Sequence, residues 1–142
     1  MSVEFIDTNV LIYLFDETDE RKRTIAERLV ESAMQTQDAC ISYQVVQETL
    51  NVVTRKLASP MSADGARGFL ERVLMPLCRV MPSRQLYQRG LDIQARCRYS
   101  FYDALIIASA LEIGCGRLNS EDLQHGQRIE GLTIHNPFAA TA

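Results

Sequence analysis

Apolar positions in this chain come in short blocks, and the spacing between blocks is mostly helical. Val3, Phe5 and Ile6 form a brief run that stops at Asp7-Thr8-Asn9 and resumes at Val10-Leu11-Ile12. This predicts a strand over 2–6, ending at about Ile6, and a helix starting near Thr8 or Asn9. Ile25, Leu29, Val30 and Ala33 recur at helical spacing among charges, which predicts a helix over 20–36. Ala39-Cys40-Ile41 reads as a short strand, with Ser42 placed to cap the next helix. Val45, Val46, Leu50, Val52, Val53 and Leu57 predict that helix over 44–57, ended by Ser59-Pro60. A further helix is expected over 62–75, starting at Ser62. Pro76 and Pro82 then bracket a short strand.

Residues 83–97 read as helix. Residues 101–113 are apolar nearly all round and are stopped by Gly114 and Gly116, the pattern of a buried helix with a glycine terminus. "RLNS" at 117–120 reads as a strand end, "SEDLQHG" as a turn or a single helical turn, and "LTIHN" as a last strand. "NPFAATA" is expected to finish that strand and fray. Strands alternating with helices imply a three-layer α/β/α sandwich with a mainly parallel central sheet. Its ligands are expected at the C-terminal ends of the central strands.

The 142 residues suit a single domain spanning 1–142. No apolar run approaches the roughly 20 residues of a membrane span, and MSVEFID lacks the basic and apolar regions of a signal peptide, so a cytoplasmic protein is expected. Cysteines at 40, 78, 97 and 115 form no C-x-x-C pair, and only His125 and His135 could join them. Reduced packing thiols are expected, and no zinc site. The net charge of −3 does not mark a nucleic-acid binder, although 13 Arg against 2 Lys favours forked phosphate contacts slightly.

Four acids stand where such a sheet would place its chemistry, and each has two readings. Asp7, at the end of the first strand, is a helix cap or a cation ligand. Glu48 lies just beyond the Val52 edge of its helix's apolar arc, and is an exposed helix acid or a side chain turned to a site. Asp103 enters the first turn of the most apolar helix. Ser100 to Asp103 resembles a capping box, and a cap can orient a carboxylate that also holds metal. Asp122, after Ser120 and Glu121, is a first-turn acid or a fourth member of the group.

If three of these carboxylates converge, their repulsion must be relieved by shared protons or by a divalent cation. Oxygen donors alone favour a hard ion, Mg²⁺ or Mn²⁺. The chemistry such an ion supports is metal-assisted attack of water on a phosphodiester. A Ser-His-Asp scheme lacks G-x-S-x-G, and neither a P-loop nor G-x-G-x-x-G is present.

With these residues the chain resembles PIN-domain ribonucleases of the VapC-like toxin group. The resemblance rests on "FIDTNVLIYLFD" at 5–16, Glu48 in "SYQVVQETLNV", "SFYDALIIASALEIGC" at 100–115 and "LNSEDLQHGQRIEGLTIHNPF" at 118–138, and covers essentially the whole chain. It implies an Mg²⁺- or Mn²⁺-dependent endoribonuclease in which Asp7 and Asp103 are the most direct ligands and Glu48 and Asp122 complete the site. Glu121 could exchange roles with Asp122. Thr8, Asn9 and Ser120 would orient carboxylates or bind a phosphate or water. Similar proteins cut single-stranded or loop RNA to a 3′-hydroxyl and a 5′-phosphate. Many are toxins inhibited by a partner antitoxin, and homodimers are common.

Candidate phosphate contacts are Glu20-Arg21-Lys22-Arg23, Arg55-Lys56 and the Arg96/Arg98 pair. A solvated face or an antitoxin ion pair is the competing reading for each. A haloacid-dehalogenase-like phosphatase needs a second Asp where Asn9 stands, and a receiver domain needs a late lysine that is missing. A catalytically silent RNA-binding or protein-interaction module is the remaining alternative.

Overall fold

The computed structural model describes residues 3–139. Six strands form one sheet in the order β3-β2-β1-β4-β6-β5. They are β1 (Glu4–Ile6), β2 (Ala39–Ser42), β3 (Cys78–Val80), β4 (Arg117–Asn119), β5 (Arg128–Ile129) and β6 (Leu132–His135). All neighbours are parallel except β5 with β6. Phe5 and Ile6 are wholly buried, as a central strand covered on both faces requires.

Between β1 and β2 lie α1 (Thr8–Ile12), a 3₁₀ turn at Tyr13–Phe15 and α2 (Glu20–Thr36). Between β2 and β3 lie α3 (Tyr43–Arg55), α4 (Ala63–Phe69), a wide turn at Leu70–Leu74 and α5 (Met75–Leu77). The chain returns across the sheet through α6 (Arg84–Cys97) and α7 (Phe101–Ile113) to β4 on the far side of β1. With right-handed crossovers, that reversal puts α6 and α7 on the face opposite α1–α5. It also makes the boundary between β1 and β4 the switch point, where a crevice opens beyond the strand ends.

The caps explain most boundaries. Asp19, Ser42, Ser62, Ser83 and Ser100 each accept a backbone N–H from the first turn of the adjoining helix. Gly114, at φ 80°, ends α7 in the left-handed conformation that glycine adopts without strain. Gly90 does different work: a Cβ there would lie 2.9 Å from Leu105 Cδ2, so its absence lets α6 and α7 pack closely.

Several expectations are adjusted. The helix expected over 62–75 runs on to Leu77 in three pieces. Pro76 has no N–H and its ring crowds the preceding turn, and just before it the Met75 N–H reaches back five residues to the Leu70 carbonyl. The helix expected over 44–57 stops at Arg55. "SEDLQHG" holds turns and no helix. Strand β5 was not anticipated. The chain end does not fray from residue 136: Phe138 is buried against Tyr13, ring centroids 4.8 Å apart, while residues 140–142 of the expected tail lie outside the described residues. Among the described residues, no helix is long and apolar enough to cross a membrane.

Candidate metal centre

β1 delivers Asp7 to the switch point. Its N–H donates to the Asn119 carbonyl at 2.9 Å, so the pairing with β4 continues past the strand end and turns the side chain into the crevice. Asp7 is also the cap of α1: its Oδ1 accepts the Thr8 N–H at 2.7 Å. The cap and the site are therefore one residue. Thr8 and Asn9 are first-turn residues whose side chains serve the neighbouring acids.

Thr8 Oγ1 donates to Glu48 Oε1 at 2.7 Å. Asn9 is the hub: its Nδ2 lies 3.1 Å from Asp7 Oδ2, 3.2 Å from Ser120 Oγ and 3.3 Å from Asp122 Oδ2. Its Oδ1 accepts the Glu121 N–H at 2.9 Å, which fixes the segment after β4. Ser120 Oγ donates to Asp7 Oδ2 at 2.9 Å. Asp7, 6% exposed, thus accepts from two side chains and one amide. Burial nevertheless pushes its carboxyl up to about 6. The Ser120 and Thr8 hydrogen bonds oppose the shift, and the charges of Glu48 and Asp103 add to it.

Asp103 stands in the first turn of α7 with its N–H on Ser100 Oγ, 3.2 Å. The sequence placed it in the interior. It is half-buried at the cleft wall, because α7 begins at the sheet's C-terminal edge and is enclosed only from Ala104 onward. Asp122 is exposed at the cleft rim. Its rival, Glu121, points elsewhere: it accepts from Tyr13 Oη at 2.6 Å and Lys22 Nζ at 2.5 Å.

These side chains line a cleft of about 470 Å³ that holds Asp7, Glu48, Asp103 and Asp122 together. All donors are oxygen, which suits a hard divalent ion. Among the described residues, no three acidic, His or Cys side chains close on one point in these rotamers. A hard divalent ion held here would take one or two of these carboxylates and complete its shell with water and substrate oxygens. Asp7's carboxyl is raised first by its burial, and the nearby charges of Glu48 and Asp103 add to that shift.

Gln44 was missed by sequence reasoning. It is 4% exposed on the cleft wall, and its Nε2 donates to Glu48 Oε2 at 3.3 Å and to the Tyr102 carbonyl at 3.1 Å. It ties α3 to the first turn of α7, and so Glu48 to Asp103. Its signal was the four-residue step back from Glu48 on one helix face. Of the basic candidates, Lys56 alone lines this cleft. Arg21 donates to the Phe138 carbonyl, Lys22 pairs with Glu121, Arg23 with Glu27, and Arg96 with Asp92 and Glu130.

Fold and site define an α/β protein with a carboxylate cleft at the switch point of a parallel sheet. The chain belongs to the PIN domain family, whose model matches residues 5–128. Comparison with curated proteins gives no significant sequence match. Among solved structures it is similar to Mycobacterium tuberculosis VapC20, described as a sarcin–ricin loop cleaving toxin (23% identity, 84% of this chain and 89% of that one, TM-score 0.62). It is also similar to a chain of a toxin–antitoxin complex from Klebsiella pneumoniae (17% identity, 96% and 99% covered, TM-score 0.69). A third is VapBC2 from Rickettsia felis bound to a promoter DNA fragment (15% identity, 94% and 98% covered, TM-score 0.66).

Proposed function

We propose that this chain is an Mg²⁺- or Mn²⁺-dependent endoribonuclease acting in the cytoplasm as the toxin of a toxin–antitoxin pair. The observation that carries the reading is the cleft that Glu48, Asp103 and Asp122 share with a buried Asp7, at the C-terminal edge of the parallel sheet. Membership of the PIN domain family supports it, and the toxin–antitoxin assemblies among its structural neighbours support the antitoxin partner.

In this reading Asp7 and Asp103 hold the cation, and Glu48 and Asp122 complete its surroundings directly or through water. The bound ion supplies Lewis-acid polarisation of the phosphodiester and lowers the pKa of the attacking water. Thr8 and Gln44 hold the two oxygens of Glu48, so its rotamer is set before substrate arrives. Asn9 and Ser120 hold Asp7, and Asn9 also reaches Asp122. Asp7 would have to be ionised to hold the cation, so below about pH 6 binding would compete with its proton. A homodimer is part of the proposal, with exposed Tyr87 and Leu91 on α6 as apolar surface for it.

The test is cleavage of end-labelled total RNA by purified protein with Mn²⁺, Mg²⁺ or EDTA, beside Asp7→Asn and Asp103→Asn. Metal-dependent cutting lost in both variants is expected. Absence of cutting together with absence of metal binding by calorimetry would overturn the reading.

A further inference from the structure

We propose that the cleft along α3 is a track for one RNA strand, with Lys56 on a backbone phosphate to one side of the scissile position and the Tyr102 ring stacked on an unpaired base to the other. This rests on the nuclease reading and adds the residues that hold the substrate.

Gln44, Glu48, Val52 and Lys56 recur every four residues on α3 and its cap, and all four line the cleft. At about 1.5 Å per residue the stripe is about 18 Å long, far more than one phosphate needs. The carboxylates gather along it, and its two ends carry different chemistry.

Lys56 ends the stripe. Among the described residues it is the one Lys or Arg on this cleft's wall, and it makes no ion pair with any of them. It also lines a neighbouring hollow of about 540 Å³ that shares Ile12 with the cleft, so the groove continues past it. A polymer requires such continuity. A cation free of partners, beside carboxylates that repel phosphate, is placed to hold the strand there.

At the other end Tyr102 directly precedes Asp103 and is 66% exposed. Its backbone is fixed by Gln44, and Phe101 backs its ring edge-on at 5.9 Å between centroids. A solvated ring one residue from Asp103, just outside the residues that line the cleft, can serve as a stacking platform for a splayed base and not for one inside a duplex.

Between the two lies Gln44, which ties the wall of the cleft to the backbone of Tyr102. Gln44 Oε1 is buried and accepts no hydrogen bond. The amide cannot simply be turned over, because its nitrogen already faces two acceptors.

The test is steady-state cleavage of an RNA that the wild type cuts, by the intact protein and by Tyr102→Ala, Tyr102→Phe, Lys56→Gln and Lys56→Arg. Each is also titrated with Mn²⁺ and its mass measured by sedimentation. Tyr102→Ala is expected to raise KM about tenfold, the loss of one base stack, and Tyr102→Phe to restore it. Lys56→Gln is expected to raise KM and to reduce the salt dependence of log KM by a slope of about 0.7, one single-strand phosphate, with Lys56→Arg restoring both. The Mn²⁺ midpoint stays at the wild-type value in all four. Wild-type KM in Tyr102→Ala and Lys56→Gln, with cleavage still metal-dependent, overturns the track and leaves the nuclease standing. A changed mass with unchanged KM in Tyr102→Ala makes that patch a self-association face and also overturns it. No metal-dependent cutting by the wild type removes the nuclease reading, and the track with it.

Discussion

Asp7 carries two burdens that oppose each other. As a cap it stabilises α1, and as a buried carboxylate near Glu48 and Asp103 it resists ionisation. Its folded pKa, about 6, lies above the unfolded value of 3.8. Between those values the folded state binds more protons than the unfolded one, so stability falls as pH rises through the window. In EDTA the protein should therefore lose roughly 2–4 kcal/mol from this group between about pH 4 and pH 7. Asp7→Asn keeps an acceptor for the Thr8 N–H and should flatten that dependence. Urea unfolding at several pH values checks it, and parallel profiles for the two proteins would contradict the assignment.

Neighbouring residues make sharper contrasts. Asp122 faces the cleft and Glu121 is engaged by Lys22 and Tyr13, so Asp122→Asn should reduce metal-dependent cleavage while Glu121→Gln leaves it near wild type. Gln44→Met keeps the volume but frees one oxygen of Glu48 and the Tyr102 carbonyl. Loss of such an outer hydrogen bond should weaken cation affinity or activity about 10- to 100-fold. The fold should survive, since the orphaned Oε1 is removed as well. Calorimetric titration with Mn²⁺ separates the two effects.

At the scale of elements, periodicity and caps made most of the helices legible. Asp19, Ser42, Ser62, Ser83 and Ser100 each stand at a real N-terminus. What stayed hidden was set by contacts distant in sequence. Strand β5 has two residues and exists because β6 pairs with it and because Arg89 and Arg96 hold Glu130 in the turn between them, each at 3.1 Å. Gln44 looked like an ordinary helix residue, since nothing local says that Tyr102 lies against it. Asp7, Asp103 and Asp122 were legible because each follows a strand or opens a helix, and Glu48 because it borders the apolar arc of α3. Which of Glu121 and Asp122 serves the cleft was not, since that depends on Lys22, far away in the chain. The α6–α7 seam gives a test at this scale. Gly90→Ala gains about 1 kcal/mol of helix propensity. It also drives a Cβ to 2.9 Å from Leu105 Cδ2, and Leu105 is buried with little room to move. Overpacking of about 1–3 kcal/mol should dominate, and thermal denaturation should show a lower Tm.

For the whole molecule, the cleft gathers four carboxylates against one lysine on a chain of net charge −3. Folding without a cation holds like charges together, so the cation and the fold should be thermodynamically linked. A ligand that binds only the native state adds about 2.7 kcal/mol at a hundred times its Kd. For a domain of this size each kcal/mol raises Tm by about 2–4 °C, so saturating Mn²⁺ should raise it by about 5–10 °C at pH 7.5. Asp7 adds a pH dependence with a definite sign. Below about 6 its carboxyl is protonated and the cation must displace that proton, so the apparent affinity should fall about tenfold per pH unit and the Tm rise should shrink by pH 5. Asp7→Asn should show little rise at either pH, because it removes both the ligand charge and the titration. Scanning calorimetry with Mn²⁺ against EDTA decides the matter: an Mn²⁺ effect equal at pH 5 and pH 7.5, or undiminished in Asp7→Asn, would place the ion somewhere other than at the end of β1.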